Sequence, residues 1–203
     1  MITDQHGQHV SYTTAMRRLV AALDRRFPNH NTPGDRLGRL LEEIGELAEE
    51  VLAIQQPTHD APRRDWVPPT TKELQDVLRA AAGVAHHYDL PIDLVDLADE
   101  QAGPSYQGDP YLLLAQLVRS GGTLAKAVHH AAGMGIKREK YGPVNFTRLA
   151  ASVNDVLACT IRIADYYDLR QHLRSGIEDH YRRYQRDGFL TEEPLDETGG
   201  PGA

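Results

Sequence analysis

Two stretches of this chain begin and end alike. DVLRAAAGVAHHYDL runs from Asp76 to Leu90 and DVLACTIRIADYYDL from Asp155 to Leu169, with DVL at one end, YDL at the other and no gap between. Upstream, LGRLLEEIGELAEEV (Leu37 to Val51) aligns with LAQLVRSGGTLAKAV (Leu114 to Val128) and keeps its apolar positions. Order and approximate separation are preserved, which marks an internal duplication of a helix–loop–helix unit. Two such hairpins can bury their apolar stripes against each other as a four-helix bundle. Elsewhere apolar residues recur at three- and four-residue spacings, and period-two alternation is nearly absent. The fold class is therefore all-α: a four-helix-bundle-type core from two tandem helix–loop–helix repeats, plus peripheral helices.

The spacing predicts helices over about 13–27, 35–55, 70–88, 91–101, 111–132, 145–167 and 169–186. PTHDAPRRDWVPP reads as a loop on its proline content, GMGIKREKYGP as a basic, glycine-containing loop, and Gly103, Pro104, Gly108 and Pro110 as the midpoint linker. The repeats then occupy 1–103 and 110–189, the second packing on the first. The acidic, Gly/Pro-rich tail, 190–203, reads as disordered.

Composition narrows the function classes. A net charge of −7 and the lack of any Lys- or Arg-rich block argue against duplex nucleic acid as a main partner. The longest apolar run, Tyr111 to Val118 broken by Gln116, is too short to span a bilayer, and the polar N-terminal segment has no apolar core of a signal peptide. The single cysteine, Cys159, lies in an apolar helical stretch and reads as a small core residue. One cysteine makes no disulfide framework within the chain, which fits a cytoplasmic location.

The two repeats part where the chemistry lies. Glu42, Glu43 and Glu46 stand opposite Arg119, Ser120 and Thr123, and Glu73 opposite Ser152, while Asp76 keeps its counterpart in Asp155. The apolar scaffold survives without the carboxylates, so the fold does not need them. Glu43 and Glu46 are three apart, as are Glu73 and Asp76, and each pair shares a helix face. Packed antiparallel through their apolar stripes, the two helices would bring four carboxylates to the rim of their interface. Two such charges about 6 Å apart repel by roughly 3 kcal/mol at an effective dielectric near 20. No Lys or Arg lies between Leu41 and Gln56 to offset them. A hard divalent cation resolves that repulsion, and Mg²⁺ in particular binds through carboxylates while keeping waters and taking substrate phosphates.

Other readings stand beside this one. Glu42, Glu49 and Glu50 also suit a solvated helix face. Thr70-Thr71-Lys72-Glu73 is a capping box in form, with Thr70 as N-cap and Glu73 at the third position, so cap and ligand remain equal alternatives for Glu73. A carboxylate-bridged di-iron site would need Glu-x-x-His, and none of the ten histidines has Glu three residues before it. The pairs His86-His87 and His129-His130 diverge around a helix and chelate poorly.

LLEEIGELAEEV followed by KELQDVL resembles the E-E-x-x-E … E-x-x-D signature of the all-α nucleotide pyrophosphohydrolases, a superfamily of MazG-like proteins, dimeric dUTPases and phosphoribosyl-ATP pyrophosphohydrolases. The match covers about Asp35 to Leu90 closely and about Leu114 to Phe189 in degraded form. The resemblance implies cleavage of a nucleoside triphosphate between the α and β phosphates, giving a monophosphate and pyrophosphate. It implies Mg²⁺, with Mn²⁺ as a substitute, held by Glu43, Glu46, Glu73 and Asp76, with Glu42 supporting the cluster or orienting the attacking water beside Glu43. Members often carry a basic Lys/Asn…Arg-Tyr segment after the second helix. Here that place reads ADEQAGPSY, without basic residues, whereas IEDHYRRYQRDGF of the second repeat has Arg182, Arg183 and Tyr184. A composite site follows as an expectation: acids from the first half, phosphate-binding cations Arg182 and Arg183 from the second, with Lys137 and Lys140 as further candidates. The duplication is compatible with dUTPase-like specificity, with a monomer whose core is a pseudo-dimer, and with a homodimer. A non-catalytic MazG-like nucleotide-binding or interaction module is the alternative from another class.

Overall fold

The repeated YDL motif is a helix stop. In the computed structural model, which describes residues 2–56, 61–98 and 108–190, the tyrosine caps the helix and the aspartate takes a left-handed conformation, with φ 49° at Asp89 and 54° at Asp168. The following leucine then turns back. Leu90 N–H donates to Ala85 O at 2.9 Å and Asp89 N–H to His86 O at 3.2 Å; Leu169 N–H donates to Ala164 O at 2.7 Å and Asp168 N–H to Asp165 O at 3.1 Å. Each is a complete Schellman cap, closed by a buried leucine. The duplicated ends are therefore duplicated turn chemistry.

The described chain is all-α apart from a short ribbon, β1 (Ile2–Thr3) against β2 (His9–Val10). Asp4 Oδ1 accepts from His6 N–H and Gln8 N–H in its turn, at 2.9 and 2.8 Å. Helices follow as α1 (Tyr12–Arg26), α2 (Pro33–Ile54), α3 (Arg63–His87), α4 (Val95–Ala98), α5 (Pro110–Ala131), α6 (Lys137–Tyr141), α7 (Phe146–Tyr166) and α8 (Arg170–Arg186). The hairpins α2–α3 and α5–α7 pair through α3 against α7 and α2 against α5, while α1 and α8 lie on α3. One contiguous apolar core draws on both repeats. At the α2–α5 contact, Gly121 makes room for Ile44: a Cβ on Gly121 would sit 2.9 Å from the Ile44 Cδ1. No described helix is long and apolar enough to cross a membrane.

Three boundaries differ from the sequence reading. α2 starts at Pro33 rather than Asp35, because proline suits the first helical position and Thr32 forms a capping box with Asp35. α3 starts at Arg63 and carries Pro68 and Pro69 inside it, where a loop was expected from 57 to 69; positions 57–60 lie outside the described residues. The two prolines deprive only the carbonyls of Arg64 and Asp65, both in exposed residues that water can reach. Tertiary contacts hold this first turn: the Arg63 guanidinium donates to Asp168 O at 2.7 Å, and the Trp66 ring meets Tyr167 edge-on at 6.0 Å. The fourth helix is confined to Val95–Ala98 among the described residues, since Asp93 N–H and Leu94 N–H are taken by Asn154 and Thr13 side chains. The expected start at Pro91 is described and is not helical, whereas the expected end, 99–101, and the linker residues Gly103 and Pro104 lie outside the described residues, as does the tail beyond 190. The basic loop holds the short α6.

Because α3 starts early, Thr70 is not an N-cap. It is fully buried in the helix interior, and its hydroxyl donates to Trp66 O at 2.7 Å. Thr70→Asn, a residue at least as good at an N-cap, is expected to destabilise by about 1–3 kcal/mol in urea unfolding, the cost of a buried amide with unmet partners. An unchanged midpoint would restore the capping role.

At the end of α3, burial holds His86 and His87 below the ordinary histidine range, with the Arg36 charge lowering both further and Asp24 pulling the other way. Unfolded, they charge near about pH 6.5, so their contribution to stability is present above that value and lost as pH falls through the lower folded one. Melting followed in EDTA from about pH 7.5 to about pH 5.5 should therefore fall less steeply in a His86→Gln/His87→Gln variant. An unaltered slope would remove these histidines from the account.

Candidate functional site

α2 and α3 run antiparallel, which sets Glu43 beside Asp76 and Arg79, and Glu46 beside Lys72 and Glu73. Oxygens of Glu43, Glu73 and Asp76 lie within 4.8 Å of one another, close to the span of about 4–5 Å across a six-coordinate Mg²⁺ or Ca²⁺. Glu73 and Asp76 are each only 7% exposed, deep for carboxylates. With Thr70 inside the helix, Glu73 has no capping duty. Its Oε1 receives Lys72 Nζ at 2.7 Å, while its Oε2 is buried without a hydrogen-bond partner. A buried carboxylate oxygen left unpaired is costly, and an ion or a water can meet that cost.

The cluster is not left wholly uncompensated, as the absence of cations between Leu41 and Gln56 suggested. α3 itself supplies them: Lys72 Nζ also lies 3.0 Å from Asp76 Oδ2 and 4.0 Å from Glu46 Oε2, and Arg79 Nη2 donates to Asp76 Oδ1 at 2.5 Å. One ammonium and one guanidinium do not balance the set. Burial, then the Asp76 charge, pushes the Glu43 carboxyl up, and burial pushes Glu73 up in spite of Lys72. The hydrogen bonds that Lys72 donates to Glu73 and Asp76 hold it firmly protonated. These directions agree physically: the ammonium is strongly favoured by several acids that share it, and each acid receives only part of its charge. Lys72 keeps 61% of its side chain exposed.

The other expected site residues divide. Glu46 is at the open edge of the cluster, and Glu50, one turn on, is half-buried with its carboxyl raised by burial and by Glu73. Sequence reading had left Glu50 to solvent, although its spacing from Glu43 and Glu46 puts all three on one stripe. Glu42 and Glu49 are exposed, and Glu42 is outside the three-carboxylate set. Lys137 and Lys140 gather around the Tyr141 ring, at 5.8 and 5.5 Å, rather than at the acids. Arg182 is paired with Glu178 and Asp179 at 3.1 and 3.3 Å. Arg183 is exposed beside His180, a ring that also senses Arg79 and Asp76. Cations from the second half therefore do not line the pocket at the acids.

That pocket, about 40 Å³, runs from Glu43 and Asp76 toward Arg36, Arg39 and Arg79, all from the first repeat. Arg36 is a buried structural cation, bonded to Asp24, to Gly83 O at 2.8 Å and to Asn31 O at 3.2 Å. Arg39 is exposed one turn before Glu43. The signal for both was available in the helical spacing 36, 39, 43, which places the arginines on the stripe that leads to the acids.

In the second repeat, hydroxyls replace three of the carboxylates; Ser120 and Ser152 are buried and Thr123 is exposed. Thr123 donates to Arg119 O at 3.0 Å and Ser152 to Arg148 O at 2.9 Å, each on its own helix, and Ser120 meets Cys159 Sγ at 3.6 Å. Asp155 is exposed. The pseudo-equivalent place is satisfied within the protein and has no cation-binding character. Comparison with models of known protein families, with curated proteins and with solved structures matches this chain to none of them.

Proposed function

We propose that this chain is a divalent-cation-dependent nucleoside triphosphate pyrophosphohydrolase of the MazG-like kind, acting through the first repeat. The observation that carries the reading is the buried, unpartnered Oε2 of Glu73, in a set of carboxylate oxygens converging with those of Glu43 and Asp76. The donors are all oxygen, which suits Mg²⁺ or Mn²⁺ and not a thiolate- or imidazole-seeking metal. Glu43, Glu73 and Asp76 would hold the cation, with Glu46 closing the open side. Bound there, the metal supplies charge neutralisation for phosphate oxygens and acidifies a water.

The chain's own residues account for the rest. Arg39 and Arg79 point the way from the acids along the pocket and can take phosphate oxygens, and Lys72, released from Glu73 and Asp76, adds a third cation. A water positioned by a carboxylate of α2, Glu42 or Glu46, attacks the α phosphorus. The bond from that phosphorus to the bridging oxygen breaks, pyrophosphate leaves, and the water's proton passes to the carboxylate. The pocket has room for little beyond ion and water, so base and sugar would lie outside it. The reading is tested by pyrophosphate release from a panel of canonical and modified nucleoside triphosphates, with Mg²⁺ or Mn²⁺ against EDTA. Turnover only with metal supports it.

The pairing of Lys72 with both buried acids favours a second reading, a non-catalytic nucleotide-binding or interaction module, because it lets the cluster fold without metal. Folded protein that binds Mg²⁺ and releases no pyrophosphate from any nucleotide would establish that alternative.

A further inference from the structure

The second repeat has a larger opening of its own. Between α5, α6 and the start of α7 lies a pocket of about 350 Å³, lined by Thr123, Lys126, His130, Tyr141, Asn145 and Arg148 among others, with no acidic residue in its wall. That volume is in the range of small-molecule sites. Its position in the repeat is informative. Thr123 and Lys126 occupy the places that Glu46 and Glu49 hold in the first repeat, so a neutral and a basic residue stand here where the first repeat has two acids. This happens in a chain whose net charge is −7.

The cations are gathered, not scattered. Lys126, Lys137 and Lys140 approach the Tyr141 ring at 5.2, 5.8 and 5.5 Å from its centre, and the ring remains 46% exposed. Each contact with an exposed ring is weak, and three ammonium groups around one ring repel one another. Arg148 adds a fourth positive charge from the first turn of α7. The α6 loop that carries two of these lysines is pinned: His130 Nε2 is 2.8 Å from Gly142 O, and the Arg138 guanidinium donates to Ala131 O at 2.7 Å. A positively lined cavity with an open aromatic face, held by a fixed loop, suits an anion that also carries a flat ring.

We propose that this pocket binds a mononucleotide-sized phosphorylated ligand, its phosphate between Lys126 and Arg148 and its ring against Tyr141, without a metal ion. The site is separate from the acidic one and stands or falls independently of the proposed hydrolysis. The experiment is calorimetric titration of the full chain, in EDTA, with AMP, GMP, CMP and UMP, with inorganic pyrophosphate and with adenosine. At least one monophosphate should bind saturably and more tightly than adenosine. Lys126→Glu and Arg148→Glu should each weaken it by at least about tenfold, a charge-assisted contact being worth about 1.5–3 kcal/mol. Tyr141→Ala should weaken the monophosphate and leave pyrophosphate unchanged, and Glu43→Gln should alter none of these. Lys126→Gln, milder in charge, guards against misfolding, and each variant's melting curve is recorded first. No saturable binding of any monophosphate, indifference to Lys126→Glu and Lys126→Gln in folded protein, or loss in Glu43→Gln would overturn the proposal. Metal-dependent turnover reports on the other site alone, so each failure is read separately.

Discussion

Glu43→Gln is expected to abolish most metal-dependent pyrophosphate release while making the metal-free protein more stable. The first effect follows from ligand count. Glu43 is one of three residues whose oxygens converge, and glutamine offers a neutral, weaker donor. Lewis-acid stabilisation is worth several kcal/mol, so the loss should be roughly 10²- to 10⁴-fold in turnover. The second effect follows from repulsion. Burial and the Asp76 charge already push the Glu43 carboxyl up, so at neutral pH its ionised form is disfavoured where it sits, and the amide removes that tension. Mg²⁺ at a hundredfold excess over Kd should stabilise wild type by about 2.7 kcal/mol and the variant far less. Melting with and without EDTA, beside the release assay, measures both. A variant that melts lower in EDTA would mean that Glu43 is held by contacts that favour its charge, and would count against a metal site.

Leu78→Ala and Leu157→Ala should each cost about 2–5 kcal/mol, lowering the melting temperature by roughly 5–15 °C in a single transition. The two leucines are the same residue of the two DVL motifs, and both are fully buried. Truncation leaves a cavity in the apolar core that α3 and α7 share. If the halves share one core, as the contiguous apolar cluster indicates, either substitution weakens the whole. Calorimetry checks this directly. A Leu157→Ala profile that splits, with an early transition and a second one at the wild-type temperature, would show the first repeat to be stable alone.

The bundle was legible because the duplication told where each hairpin lies and apolar spacing told which face it buries. The converging acids were legible for the same reason: loss of Glu43, Glu46 and Glu73 in the second repeat separated them from the scaffold. What the residues did not disclose was tertiary. The prolines at 68 and 69 signal a break, yet Trp66 and Arg63 dock on the end of α7 and carry the helix past them. That early start removes the capping role from Glu73, one of two roles the local pattern left even. The cations at the acids were sought in the second repeat, on Arg182, Arg183, Lys137 and Lys140, because the motif after α3 lacks them. Arg39, Lys72 and Arg79 of the first repeat do stand three or four residues from Glu43 and Asp76, but a cation at that spacing equally suits a solvated helix face.

The meeting of Ile44 with Gly121 has a consequence beyond packing. These two residues hold the same position in the two repeats, so they sit where an assembly of identical copies would have a residue facing itself. In such an assembly every substitution is written twice, and a bulky side chain at that place must always confront its twin. A chain that carries both copies can write one large and one absent. The same licence lets one copy shed its carboxylates while the other keeps them, and it confines the self-repelling acids to a single place in the molecule.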